Sequence, residues 1–198
     1  MSKAEIYVSI DVGTDGPAPG LNSMRALGAA ALTGDGSQVD TWYFTLDPLP
    51  EGKQNKDTMA WWADQGDAWT EVTSSTWDPE VAIPLFCAWC ENLKQSGRLI
   101  AVGWPIAFDF AFVNWYCHRF ANRNPLGFGG LDIRSYANGL AGYPDYYGMQ
   151  EKQVRAMAGP VDTTGLRPHV AVDDAIEQGR LFMALRRHAQ EIKDQENA

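Results

Sequence analysis

Hydrophobic and polar residues alternate from Glu5 to Gly13: Ile6, Val8, Ile10 and Val12 share one face, and Glu5, Tyr7, Ser9, Asp11 and Gly13 share the other. A period of two predicts a β-strand that ends in residues able to do chemistry. The Gly- and Pro-rich segment Thr14 to Ser23 (TDGPAPGLNS) then breaks regular structure. Runs at about 24–32 and 38–46 predict two further strands, joined through the hairpin-compatible Gly34-Asp35-Gly36.

Helices are expected over Thr58 to Trp69 and over Pro79 to Gln95, where Val81, Leu85, Ala88 and Trp89 have helical spacing. A strand from Leu99 to Gly103, an apolar helix from Phe108 to Phe120 and a short strand near Leu131 to Ile133 follow. Smaller helices near 135–141 and 150–158 and a long helix from about residue 171 complete the chain. This order implies an α/β fold: a mixed five-stranded sheet, its first three strands antiparallel, flanked by helices. The 198 residues suit one domain over 1–198, with an ordered core of about 5–188 and a frayed acidic tail from Glu191.

Charge narrows the function. Sixteen basic against 25 acidic residues give a net charge of −9, which argues against coating long duplex nucleic acid through a general basic surface. Short or single-stranded nucleic acid taken into a cleft stays compatible. The chain lacks a run of ~18 apolar residues and its start lacks secretory features, so a cytoplasmic protein without a membrane partner is expected. Cys87, Cys90 and Cys117 are an odd number, as suits a reducing compartment. Cys87 and Cys90 have CxxC spacing, but residues three apart share a helix face, so packing is expected over metal or redox chemistry.

Three acidic positions stand out. Asp11 ends an aliphatic strand, where it either caps the next turn or serves a site. Asp109 sits among aromatics, in register with Val113, Tyr116 and Phe120, and no Lys or Arg lies within a turn of it. Burying an unpaired carboxylate costs several kcal/mol, so this one is protonated, paired or metal-bound, unless it is a helix N-cap. In Arg167-Pro-His-Val-Ala-Val-Asp-Asp-Ala the aspartates begin a helix, where the dipole favours them by only ~0.3–1 kcal/mol. That effect accounts for neither His169 nor the other two aspartates.

The ordered set resembles the DEDDh 3′-5′ exonucleases, which include oligoribonuclease, ribonuclease T and polymerase proofreading subunits. Ser9-Ile-Asp11-Val-Gly13-Thr is similar to their first motif, Ala107-Phe108-Asp109 to the second, and His169-x-Ala171-x-x-Asp174-Ala175 to the third. The five-residue spacing from His169 selects Asp174 rather than Asp173. The resemblance runs from residue 5 to about residue 185. It implies a ribonuclease H-like fold and two-metal phosphodiester hydrolysis, with Mg2+ or Mn2+ held by oxygen ligands. Asp11, Asp109 and Asp174 are then the metal ligands, and His169 is the general base, a role suited to imidazole.

Gly13 departs from this pattern, because the family's first motif places a Glu there, on the same strand face as the Asp. One metal position is expected to be weakened. Asp15 is the nearest substitute, if the loop folds back. The alternative is a catalytically degenerate or substrate-trapping binding module on the same fold. A second departure is Pro105, where many members carry Asn.

Trp61, Trp62 and Trp69 are expected to pack in the core, with base stacking as the alternative. Gly13, Thr14, Asp15, Trp62, Trp104 and Phe108 are the candidate substrate contacts. The expected substrate is single-stranded or short RNA or DNA, and a homodimer is a further expectation.

Overall fold

The alternating segment forms β1 (Glu5–Thr14), the central strand of a five-stranded sheet. A computed structural model of the chain describes residues 4–197. On one side β1 pairs antiparallel with β2 (Met24–Thr33), which pairs antiparallel with β3 (Gln38–Thr45). On the other side lie the parallel strands β4 (Arg98–Gly103) and β5 (Gly130–Asp132), giving the order β3-β2-β1-β4-β5. The mixed sheet with its antiparallel first three strands is as expected.

Both faces of β1 are buried, so its polar-looking face is not a solvent face. Ile6, Val8, Ile10 and Val12 enter a core shared with α3 (Pro79–Leu93) and α4 (Ile106–Ala121). Tyr7 packs on the opposite side with α5 (Ile133–Leu140), α6 (Glu151–Ala158) and α7 (Ala171–Glu196). Covering both faces with helices is how a sheet containing parallel strands hides its apolar side chains. The α7 helix continues to Glu196, through most of the stretch expected to fray.

The helix expected from Thr58 to Trp69 is two helices, α1 (Lys56–Ala63) and α2 (Ala68–Thr73). Gly66, at φ +60°, takes the left-handed conformation that a continuous helix forbids. Asn55 starts α1 by accepting hydrogen bonds from the backbone N–H groups of Asp57 and Thr58.

A second glycine sets the height of α7 above the sheet. Gly28 lies opposite Asp11 in the β1–β2 ladder, and a Cβ on it would stand 2.1 Å from the backbone carbon of Ala171. Only a residue without a side chain lets the start of α7 rest directly on β2.

The three cysteines are buried and free, with Cys87 and Cys117 Sγ atoms 3.7 Å apart between α3 and α4. Their packing role matches the expectation. Among the described residues no helix is long and apolar enough to cross a membrane.

Candidate active site

Three separate elements bring carboxylates to the carboxyl end of β1. Asp11 comes from the strand, Asp109 from the first turn of α4 and Asp174 from the first turn of α7. The N-cap of α4 is Pro105, so Asp109 is not capping that helix. Its Oδ1 accepts a hydrogen bond from the Val12 backbone N–H at 3.1 Å, which ties α4 to the strand beside Asp11. Asp174 Oδ2 accepts from the His169 backbone N–H at 2.9 Å, closing the turn that leads into α7. Asp173 instead faces Arg167, whose Nε lies 3.0 Å from its Oδ2. Helix geometry thus separates the two neighbouring aspartates.

These carboxylates disfavour one another's ionisation. Burial, then the charges of Asp109 and Asp174, hold the Asp11 carboxyl well above its ordinary value, against a hydrogen bond from Gln178. Burial pushes Asp109 up to about 7 and Asp174 up to about 6. None of the three has an Arg or Lys ion-pair partner among the described residues.

A cleft of about 280 Å3 opens over Asp11 and Asp174. His169 stands in its wall at φ +66°, with its ring edge-on to Trp61 at 5.0 Å between centroids. A non-glycine residue in this conformation stores strain that its surroundings must hold, and such residues gather at functional sites. Phe108 and Trp62 also line the cleft.

The remaining candidates divide. Gly13 and Thr14 line the cleft, and the Thr14 carbonyl accepts a hydrogen bond from Trp62 Nε1 at 2.8 Å. Asp15 does not reach it: the side chain is buried and its Oδ1 accepts from the Ser23 backbone N–H at 2.6 Å. Its carboxylate therefore closes the 14–23 loop and does not take the place left by Gly13. Trp104 stands outside this cleft, in a neighbouring hollow with Pro105 and Gln178. Of the three tryptophans, Trp62 is buried as expected and Trp69 packs against it, whereas Trp61 is 45% exposed beside His169.

Sequence patterns alone missed Thr58, Gly28 and Gln178, and favoured core packing over a place in the cleft for Trp61. Gln178 had a signal, since it lies one helical turn beyond Asp174 on the same face of α7. Its Nε2 donates to Asp11 Oδ1 at 2.9 Å, and its Oε1 is buried without a partner.

Three uncompensated carboxylates and a buried amide oxygen are the donor chemistry that suits a hard divalent cation. Among the described residues, no group of three or more His, Cys, Asp or Glu side chains is already closed around a single metal position. The set fits a cation in chemistry and charge.

No protein-family model matches the chain. It is 30% identical to the 3′-5′ DNA exonuclease Cap18 of Escherichia coli over 187 residues, 90% of each chain. Among solved structures it resembles S. pombe Pop2p in its Mg2+- and Mn2+-bound form, with TM-score 0.58, 14% identity and coverage of 91% of this chain and 82% of that one. It also resembles E. coli exonuclease I in complex with a dA16 oligonucleotide, with TM-score 0.63 and 12% identity, over 96% of this chain and 42% of that one. At such identities the structural matches establish the fold alone. The homodimer expectation gains no support from these comparisons. Sequence identity sustained across nine-tenths of both chains, on a fold shared with exonuclease I, makes this chain a member of the DEDD-type 3′-5′ exonuclease family.

Proposed function

We propose that the protein removes nucleotides from the 3′ end of single-stranded DNA by divalent-metal-dependent hydrolysis. The observation that carries this reading is the convergence of Asp11, Asp109 and Asp174, without a cationic partner, beside His169. In it the three aspartates would hold Mg2+ or Mn2+, which would supply Lewis-acid activation of water and neutralise charge on the leaving oxygen. His169 takes the proton of the attacking water, and Trp61 packed on its ring holds the imidazole at the cleft wall. Phe108 and Trp62 form apolar walls against which a terminal nucleotide can rest.

Single-stranded DNA is favoured as substrate because Cap18 is a DNA exonuclease, and because an acidic chain with a narrow cleft suits a free end better than a duplex surface. Strands labelled at the 3′ end, incubated with Mn2+, should release mononucleotides, and Asp174→Ala should stop the release. Equal loss of circular and linear strands would overturn the exonuclease reading. Short RNA in the same assay measures how far the sugar matters.

One observation favours a second reading, binding without turnover: Gly13 brings no carboxylate to the cleft, and Trp62 stands over it. Cleavage that appears only in Gly13→Glu would support that reading.

A further inference from the structure

Beyond the cleft, a cluster of aromatic rings surrounds one arginine. The Cζ of Arg134 lies 5.5 Å from the Trp104 ring centroid, 5.6 Å from that of Tyr146 and 5.5 Å from that of Tyr147. The two tyrosines meet edge-on at 4.9 Å. Tyr146 is 44% and Tyr147 73% exposed, so one side of the cluster is open to solvent.

We propose that Trp104, Arg134, Tyr146 and Tyr147 form a second station for single-stranded DNA, gripping nucleotides upstream of the one being removed. The strand's direction rests on the exonuclease reading above; the capacity to hold it does not.

Position supports this assignment. Trp104 directly follows β4, and Arg134 lies in the first turn of α5, directly after β5. Both stand at the carboxyl ends of strands parallel to β1, the end at which Asp11 lies. With β4 between β1 and β5, the lateral offset is two strand spacings, ~10 Å. A hollow of about 220 Å3, lined by Trp104, Pro105, Gln178 and the α6 ion pair Glu151–Arg155, adjoins Trp104. Gln178 also donates to Asp11, so hollow and cleft are neighbours across one side chain.

The chemistry fits the same ligand. Arg134 makes no ion pair among the described residues, and its Nε is buried without a hydrogen-bond partner, in a chain of net charge −9. Arg25, by contrast, stacks on Trp69 as a structural cation: it is 6% exposed and its Nε donates to the Leu46 carbonyl. A guanidinium packed against aromatic rings and without an ion-pair partner suits a phosphate, while exposed tyrosine rings suit bases.

The tyrosines are presented on a braced loop. The buried side chain of Asn138 donates to the carbonyls of Asp145 and Tyr146 and accepts from the Met149 N–H. This bracing lowers the ordering cost of stacking.

The test compares oligothymidylates of two to ten nucleotides on the parent protein, Tyr147→Ala, Tyr146→Ala/Tyr147→Ala and Arg134→Gln. Affinity by fluorescence anisotropy without metal is measured beside kcat and KM with Mn2+. Parent affinity should rise with length and then level off. The double variant should lose about ten-fold or more of that gain, and KM on longer strands should rise while kcat on the dinucleotide is unchanged. Tyr147→Ala should lose part of the gain while its melting temperature stays at the parent's, because the side chain is 73% exposed. A parent and double variant with identical length dependence would overturn the proposal, even if both cleave. A parent that never cleaves, yet binds long strands through these rings, would overturn the hydrolysis reading and leave this one standing.

Discussion

The indole of Trp62 lies over Gly13: a Cβ built on the glycine would stand 3.6 Å from Trp62 Cζ2 and 3.4 Å from the Ala26 methyl. Both are ordinary contacts, so position 13 has room for a methyl group, but a longer side chain must pass a ring tied to the Thr14 carbonyl.

Gly13→Ala should accordingly change thermal stability little. Gly13→Glu should destabilise the metal-free protein by about 1–3 kcal/mol through overpacking and added negative charge, yet tighten Mn2+ binding. Calorimetric titration checks this. A Gly13→Glu protein that binds Mn2+ no better than its parent would show that position 13 does not face the metal site.

Burial sets the pH dependence of the metal-free fold. Asp109 ionises at about 7 and Asp174 at about 6 when folded, against an ordinary value of 3.8 for each. The folded state therefore holds protons that the unfolded state has already released, and stability from this cluster falls as pH rises from about 4 to about 7. Asp109→Asn keeps an acceptor for the Val12 N–H and removes the charge. It should raise the metal-free Tm at pH 8 and abolish cleavage, and melts in EDTA across this pH range are the check. A lower Tm for the variant at pH 8 would contradict the repulsive cluster.

The Gln178 amide supplies the hydrogen bond that favours ionised Asp11. Gln178→Leu should weaken Mn2+ binding by roughly ten-fold, as loss of a partner behind a metal ligand commonly does. Unchanged Mn2+ affinity would remove Gln178 from the site.

Gly28 controls how closely α7 approaches β2. The Cβ of an alanine there meets backbone of Ala171 at 2.1 Å, and backbone cannot swing aside as a side chain can. Gly28→Ala should lift the start of α7, carrying His169 and Asp174 from Asp11, with about ten-fold or greater loss of kcat and a lower Tm. Wild-type kcat in a folded Gly28→Ala protein would show that this contact does not set the geometry.

Much of the fold was legible in local pattern. Alternation from Ile6 to Val12 defined β1, and the apolar run after Phe108 marked α4, because side-chain period depends only on neighbouring residues. Gly66 lies in the break between α1 and α2, a left-handed turn that composition alone did not separate from a helix containing glycine. The order of Asp11, Asp109, His169 and Asp174 likewise stood in the chain before any contact was known.

Local pattern in the chain therefore carried the strand and helix order, the family motifs and the glycine at position 13. Which groups meet was fixed by packing. The packing of α7 on β1 and β2 brings Asp11 and Asp174 to one cleft, while Asp15, only four positions beyond Asp11, turns away to Ser23. Trp104 stands beside Arg134 instead of in the cleft, and Gln178 reaches Asp11 from α7. These outcomes depend on strand pairing and helix height, which are set by contacts between residues far apart in the chain and so leave no local period to read.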